Sequence, residues 1–290
     1  YSGNNYHFYL TDFVFLGLSH PPSLRTLLFL LHACPMYMLL GVLSFLHMWL
    51  SSVIVPQLIL DFTPASKRIP FGGCVAQLYF FHFLGSTQCF LYTLMTYDRY
   101  LLAICWPLHY PVLTNAKLST LLVAGAWVAG SGHGALQAIL TFHLPYWGPN
   151  QVDYFFCDIP AVLRLACADT TVNELVTFVD IGVMVASCFF LILLSHIQII
   201  QAILRIRTAE GQHWAFSTCG AHVTGITVYY VPCAFIYLRP ETNSPLDGAA
   251  ALFPTDITPF LNLLIYTLRN GEVKLALKRM IGGPGTKSEV

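Results

Sequence analysis

The chain has 290 residues, 56% of them hydrophobic and 10% charged, with a mean hydropathy of +0.63. That is more apolar surface than one soluble core of this length can hide, so a bilayer is the expected solvent. The 14 Lys and Arg balance the 14 Asp and Glu with no block of like charge, which gives a nucleic-acid partner no footing. The nine cysteines include no C-x-x-C pair. This argues against a zinc ribbon or a redox motif, implies no metal or cofactor, and leaves room for one or two disulfides on an oxidising face.

In chain order, residues 1–23 read as an N-terminal tail; their polar start, Tyr1 to Asn5, is unlike a cleavable signal peptide. Residues 24–34 are apolar but about half the length of a membrane crossing, and Pro21-Pro22 blocks a helical extension upstream. Six segments long enough to span follow: 36–60, 74–104, 118–141, 175–204, 215–238 and 247–268. Arg99, Lys117, Arg205, Arg207, Arg269, Lys274, Lys278 and Arg279 fall on one side if the segments alternate, which makes that side cytoplasmic. The N-terminus is then outside if 24–34 crosses and inside if it does not. Residues 269–280 place Val273, Ala276, Leu277 and Met280 opposite Lys274 and Lys278, the pattern of an interfacial amphipathic helix in contact with membrane lipid, with a solvated tail as the alternative. Residues 281–290, rich in Gly and Pro, read as disordered.

Charges inside spans carry the functional reading, because they are costly in lipid and face a bundle interior or an aqueous edge. Asp98-Arg99 stands near the cytoplasmic end of the segment that begins at Cys74. On placement alone a snorkelling anchor and a functional pair are equally good readings. Asp180 lies inside a span, where either it is functional or it pairs with His82 or a tyrosine hydroxyl to stay satisfied. His82 alone reads as a core histidine as readily as a ligand contact.

The motif Met95-Thr96-Tyr97-Asp98-Arg99-Tyr100, followed by Ala103-Ile104-Cys105 and Pro107-Leu108-His109-Tyr110, resembles the signature of olfactory receptors of the rhodopsin-like G-protein-coupled class. Pro35-Met36-Tyr37 with Leu43-Ser44-Phe45-Leu46 resembles the family's second helix. Ala215-Phe216-Ser217-Thr218-Cys219 with His222 resembles the sixth helix, and Pro259, Leu261-Asn262 and Ile265 to Asn270 resemble the seventh. Gln151 to Tyr154 and Cys157-Asp158-Ile159-Pro160 resemble most the tenth olfactory-receptor family.

The resemblance implies an all-α membrane protein with the seven-helix receptor bundle, its first helix shortened or missing. It implies a small volatile odorant as ligand and an olfactory stimulatory heterotrimeric G protein that raises cyclic AMP. The expected site is the plasma membrane, in olfactory cilia. It assigns coupling and activation to Asp98, Arg99, Tyr100, Asn262 and Tyr266, and a disulfide to Cys74 and Cys157. By family position the ligand pocket falls on Phe81, His82, Gly85, Ser86, Asp180, Met184, Tyr230, Ala234 and Tyr237.

The departures from the family pattern are equally specific. The chain passes almost directly from Leu31-His32 to Pro35-Met36-Tyr37, where the family has most of a first helix and a loop. His47 stands in place of a sodium-holding aspartate, and Leu263 in place of the seventh-helix proline. His196 and Trp214 replace a usual tyrosine and a usual basic residue, and Trp147 replaces a loop cysteine that would pair with Cys167. One extra leucine in Tyr100-Leu101-Leu102-Ala103 turns a continuous helix by about 100°. A receptor-derived chain that no longer signals and stays in the endoplasmic reticulum is therefore the second reading. A channel or transporter would show internal repeats or acidic pore rings, which are missing. No H-E-x-x-H, G-x-S-x-G or Walker-type loop supports an enzyme.

Overall fold

A computed structural model describes residues 35–62, 68–104, 116–148, 151–152, 154–237 and 257–258. Among the described residues all regular structure is helical. The helices are α1 (Pro35–Asp61), α2 (Phe71–Ile104), α3 (Ala116–Phe142), α4 (Ile159–Leu163), α5 (Thr171–Leu204) and α6 (Ala209–Tyr237).

The inward stripe of α5 explains why this segment is a helix with a direction. Asn173, Thr177, Ile181, Val185, Cys188, Ile192, His196, Ile199 and Ile203 are its buried residues, spaced three or four apart so that they share one face. The opposite face carries Val176, Val179, Val183, Phe190, Leu194 and Ile197, all exposed. A soluble protein would place polar side chains on that face; an apolar one suits acyl chains. In α1 the buried stripe runs through Leu39, Leu43, Leu46, Leu50 and Ile54, again at spacings of three and four. Met38–Leu60 and Thr171–Leu204 are by length and composition apolar enough to cross a membrane. The other long helices spend more positions on glycine and on buried polar groups, among them Gln77, His82, Ser86, Gln88 and Gln137.

At the centre lies α2, packed against α1, α3 and α5, while α6 packs on α5. Small residues set the α2–α3 spacing. A Cβ added at Gly134 would fall 2.8 Å from Phe83 N and 2.9 Å from Tyr79 O, closer than backbone tolerates, so glycine lets the two helices approach. Next to that contact, Trp49 of α1, Phe80 and Phe83 of α2 and Trp127 of α3 meet with ring centroids 5.5–6.2 Å apart, at separations typical of favourable aromatic pairs.

The helices run past the apolar segments read from the sequence. The second begins at Phe71 instead of residue 74, the fifth at Thr171 instead of 175, and the sixth at Ala209 instead of 215. Backbone hydrogen bonding does not stop where the hydrocarbon does: a helix continues into the polar interface until a cap or a turn ends it. At Thr171 the local polar pattern explains the start. Asp169 accepts from the Thr171 amide at 3.0 Å and its hydroxyl at 2.6 Å, and the Thr170 hydroxyl donates to Glu174 at 2.5 Å. Short α4 was not expected; Asp158 caps it, accepting from Ile159 N at 2.8 Å, and a proline stands in its first turn. The expected elements at 1–23, 24–34, 269–280 and 281–290 and nearly all of 247–268 lie outside the described residues.

Candidate ligand cavity and cytoplasmic end

The segment before α4 is tied to the bundle by covalent and polar bonds. Cys74 and Cys157 form a disulfide, Cα–Cα 5.5 Å, across a sequence separation of 83. Beside it the buried Gln77 amide bridges three elements: its Oε1 accepts from Cys157 N at 2.9 Å and its Nε2 donates to Val53 O at 3.0 Å. Cys167 is free and exposed. Its amide donates to Pro145 O at 2.9 Å, and a Cβ on Gly148 would lie 3.2 Å from its sulfur, so it rests beside the segment in which Trp147 replaces a cysteine.

Two loop groups titrate away from their ordinary values. Hydrogen bonds from Thr171 hold the Asp169 carboxyl below the usual carboxylate range, and burial pushes the Tyr146 phenol up to about 12.

Beneath the anchored segment is a cavity of about 50 Å³. From α2 it is lined by Phe81, His82, Gly85, Ser86 and Cys89; from α5 by Ile181, Met184 and Val185; and from α6 by Tyr229, Cys233, Ile236 and Tyr237, with Leu50 of α1 and His133 of α3. Of the residues assigned by family position, Phe81, His82, Gly85, Ser86, Met184 and Tyr237 therefore line one cavity. Asp180, Tyr230 and Ala234 are not in it. The Tyr230 hydroxyl turns to Cys89 O at 3.3 Å.

Asp180 pairs neither with His82 nor with a tyrosine, the two partners weighed from sequence. One of its oxygens lies 2.9 Å from His133 Nδ1 and accepts from Gln137 Nε2 at 2.8 Å. Gln137 in turn accepts from the Thr177 hydroxyl at 3.2 Å, and Asn173 Nδ2 donates to Leu140 O at 2.6 Å. The result is a polar seam between α3 and α5, in which each buried group finds a partner.

His82 has a different partner: its Nε2 lies 3.3 Å from Asp158 Oδ1, without the alignment of a hydrogen bond. The Tyr237 hydroxyl also reaches Asp158, at 3.1 and 3.2 Å from its two oxygens. His133, Asp158 and Gln77 are the polar residues of this end that sequence reasoning missed. Each stands alone in an apolar or loop context, and only its distant partner gives it meaning.

At the other end of α2, Asp98 is buried, with Arg99 and Tyr100 partly so. The rings of His196 on α5 and His222 on α6 stack 5.6 Å apart. Asn262 and Tyr266 lie outside the described residues. Where the family has its sodium-holding aspartate, His47 is buried, its Nε2 2.9 Å from Gln88 Nε2.

The family model described as "Olfactory receptor" matches residues 25–283. The chain belongs to the olfactory receptor family. Human olfactory receptor 10G3 is 72% identical to it over 97% of both chains. Human olfactory receptor 10G2 is 69% identical, over 94% of this chain and 96% of that one. Human olfactory receptor 10S1 is 54% identical over 85% of this chain and 75% of its own length. The fold is accordingly that of a seven-helix G-protein-coupled receptor in the membrane, in the tenth olfactory-receptor family, and not that of an enzyme. The alignment with 10G3 runs over 306 positions against the 290 residues here, so that relative carries residues inside the matched region that this chain lacks.

Proposed function

We infer that this olfactory receptor binds a small volatile molecule in the cavity beneath the Cys74–Cys157 disulfide and activates an olfactory stimulatory G protein, raising cyclic AMP from the plasma membrane of olfactory cilia. The observation that carries the reading is the position of the cavity. It is walled by α2, α5 and α6, and Arg99 lies near the far end of the same α2. A ligand wedged between the upper halves of these helices biases how their lower halves pack, and so whether Arg99 is covered or free.

The cavity of about 50 Å³ is smaller than the roughly 150 Å³ of an apolar cavity that takes benzene. Binding therefore includes side-chain displacement, for which the unbranched Met184 is the most pliant wall member. Low ligand mass and a mostly apolar body follow from the lining.

Cells expressing the chain with an N-terminal tag, assayed for surface label and for cyclic AMP under a broad volatile panel, test the reading. A response that Arg99→Ala abolishes without loss of surface label supports it. Silence across the panel in cells that display the protein, or retention inside the cell, counts against it.

A further inference from the structure

The cavity wall contains several hydroxyls, and each gives its proton to the protein, so that its oxygen is left as an acceptor. Ser86 Oγ donates to His82 O at 2.7 Å, Tyr229 donates to Gly85 O at 2.8 Å, and Tyr237 donates to Asp158. Two histidines, His82 and His133, also line the cavity, with ring centroids 6.3 Å apart.

Each of these rings is backed by a carboxylate. His133 Nδ1 lies 2.9 Å from Asp180 and His82 Nε2 lies 3.3 Å from Asp158. The two carboxylates are themselves held, Asp180 by Gln137 and Asp158 by Tyr237 and the Ile159 amide. Neither Asp158 nor Asp180 lines the cavity.

A carboxylate beside one imidazole nitrogen fixes the proton on that nitrogen and so decides the tautomer. The approach of His82 Nε2 to Asp158 lacks hydrogen-bond alignment and fixes no tautomer, whereas the second nitrogen of His133, Nε2, takes no part in its pair with Asp180. In a neutral ring it carries a lone pair and accepts hydrogen bonds. An apolar cavity whose uncommitted polar atoms are acceptors is matched by a ligand that brings its own donor on an apolar frame.

Building on the receptor reading above, we propose that the cavity selects alcohols and phenols, whose hydroxyl donates to His133 or His82, and that Asp180 is a positioning residue that sets the His133 tautomer. A methyl ether of the same frame keeps the oxygen and the shape but has lost the donor. It leaves the imidazole lone pair buried without a partner, and sites built around a hydrogen bond reject such analogues strongly.

The test uses the full-length receptor, purified in detergent for thermal unfolding and expressed in cells for cyclic AMP. The probes are cyclohexanol and benzyl alcohol, their methyl ethers, and methylcyclohexane and toluene. The alcohols are expected to raise the unfolding midpoint and the ethers to need at least about tenfold higher concentration for the same shift.

His133→Phe should remove that preference. Asp180→Ala should weaken it, and Asp180→Asn, whose amide oxygen still accepts from His133 Nδ1, should keep it. A merely structural role for Asp180 would change stability and leave the alcohol-to-ether ratio alone. The comparison of alcohols with ethers needs no variant, so a variant that fails to fold does not remove the test. Ethers equal to alcohols, no stabilisation by any probe, or a preference that survives both His133→Phe and His82→Phe would overturn the proposal. Selective, histidine-dependent binding with silent cyclic AMP would instead fault the signalling reading and leave this one standing.

Discussion

Tyr237 in the last turn of α6 and Asp158 before α4 are joined through both carboxylate oxygens, at 3.1 and 3.2 Å. This contact ties the segment over the cavity to α6, which forms part of the cavity wall. Asp158 is 3% exposed, so the phenol is one of the few groups that offset the cost of burying its charge.

Tyr237→Phe should therefore destabilise the receptor by about 1.5–3 kcal/mol, the range for a hydrogen bond to a charged group. The loss should appear as a lower unfolding midpoint in detergent. Basal cyclic AMP should shift as well, because α6 loses a tether at its cavity end.

The disulfide gives a larger effect. Cys157→Ser opens a loop with a sequence separation of 83, for which the chain-entropy account gives about 4–5 kcal/mol. Surface labelling of the variant should fall severely. Cys167→Ser, at a free and exposed thiol, should leave surface labelling unchanged.

Helix spacing can be tested by two glycines of α3. A methyl at Gly134 would meet the backbone of Phe83 and Tyr79 below 3.0 Å, while one at Gly132 would meet nothing within 4 Å. Gly134→Ala should cost about 1–3 kcal/mol through overpacking. Gly132→Ala should be neutral or stabilise by up to about 1 kcal/mol through helix propensity. Thermal unfolding of both variants measures the difference.

Much of this was legible in the sequence for physical reasons that differ by element. The stripe of α5 repeats every three to four residues over nine turns' worth of chain, and the Asp98-Arg99 motif is local, so both can be read without knowing any neighbour. The Cys74–Cys157 disulfide followed from family resemblance, since cysteine spacing alone fixes no partner. The helices start up to six residues before the apolar segments, because an apolar scan detects hydrocarbon and not hydrogen bonding. The pairings of Asp180 with His133 and Gln137, and of His82 with Asp158, were not legible. A single polar residue in an apolar helix reveals that it needs a partner but not which neighbouring helix supplies it.

Sodium offers a check on a departure from the family pattern. The Gln88 amide donates to the His47 ring at 2.9 Å, so His47 offers nitrogen and no carboxylate, whereas a hard cation wants oxygen ligands, carboxylate above all. Exchanging sodium for a bulky organic cation at constant ionic strength should leave agonist potency unchanged. His47→Asp should introduce a sodium dependence.

The most direct test of the central claim, that a ligand cavity and Arg99 are two ends of one switch, is cyclic AMP and ligand binding measured together on Arg99→Ala. The account predicts that the variant reaches the surface, keeps its affinity for volatile agonists within a few-fold, and raises no cyclic AMP. Undiminished cyclic AMP from Arg99→Ala would contradict it.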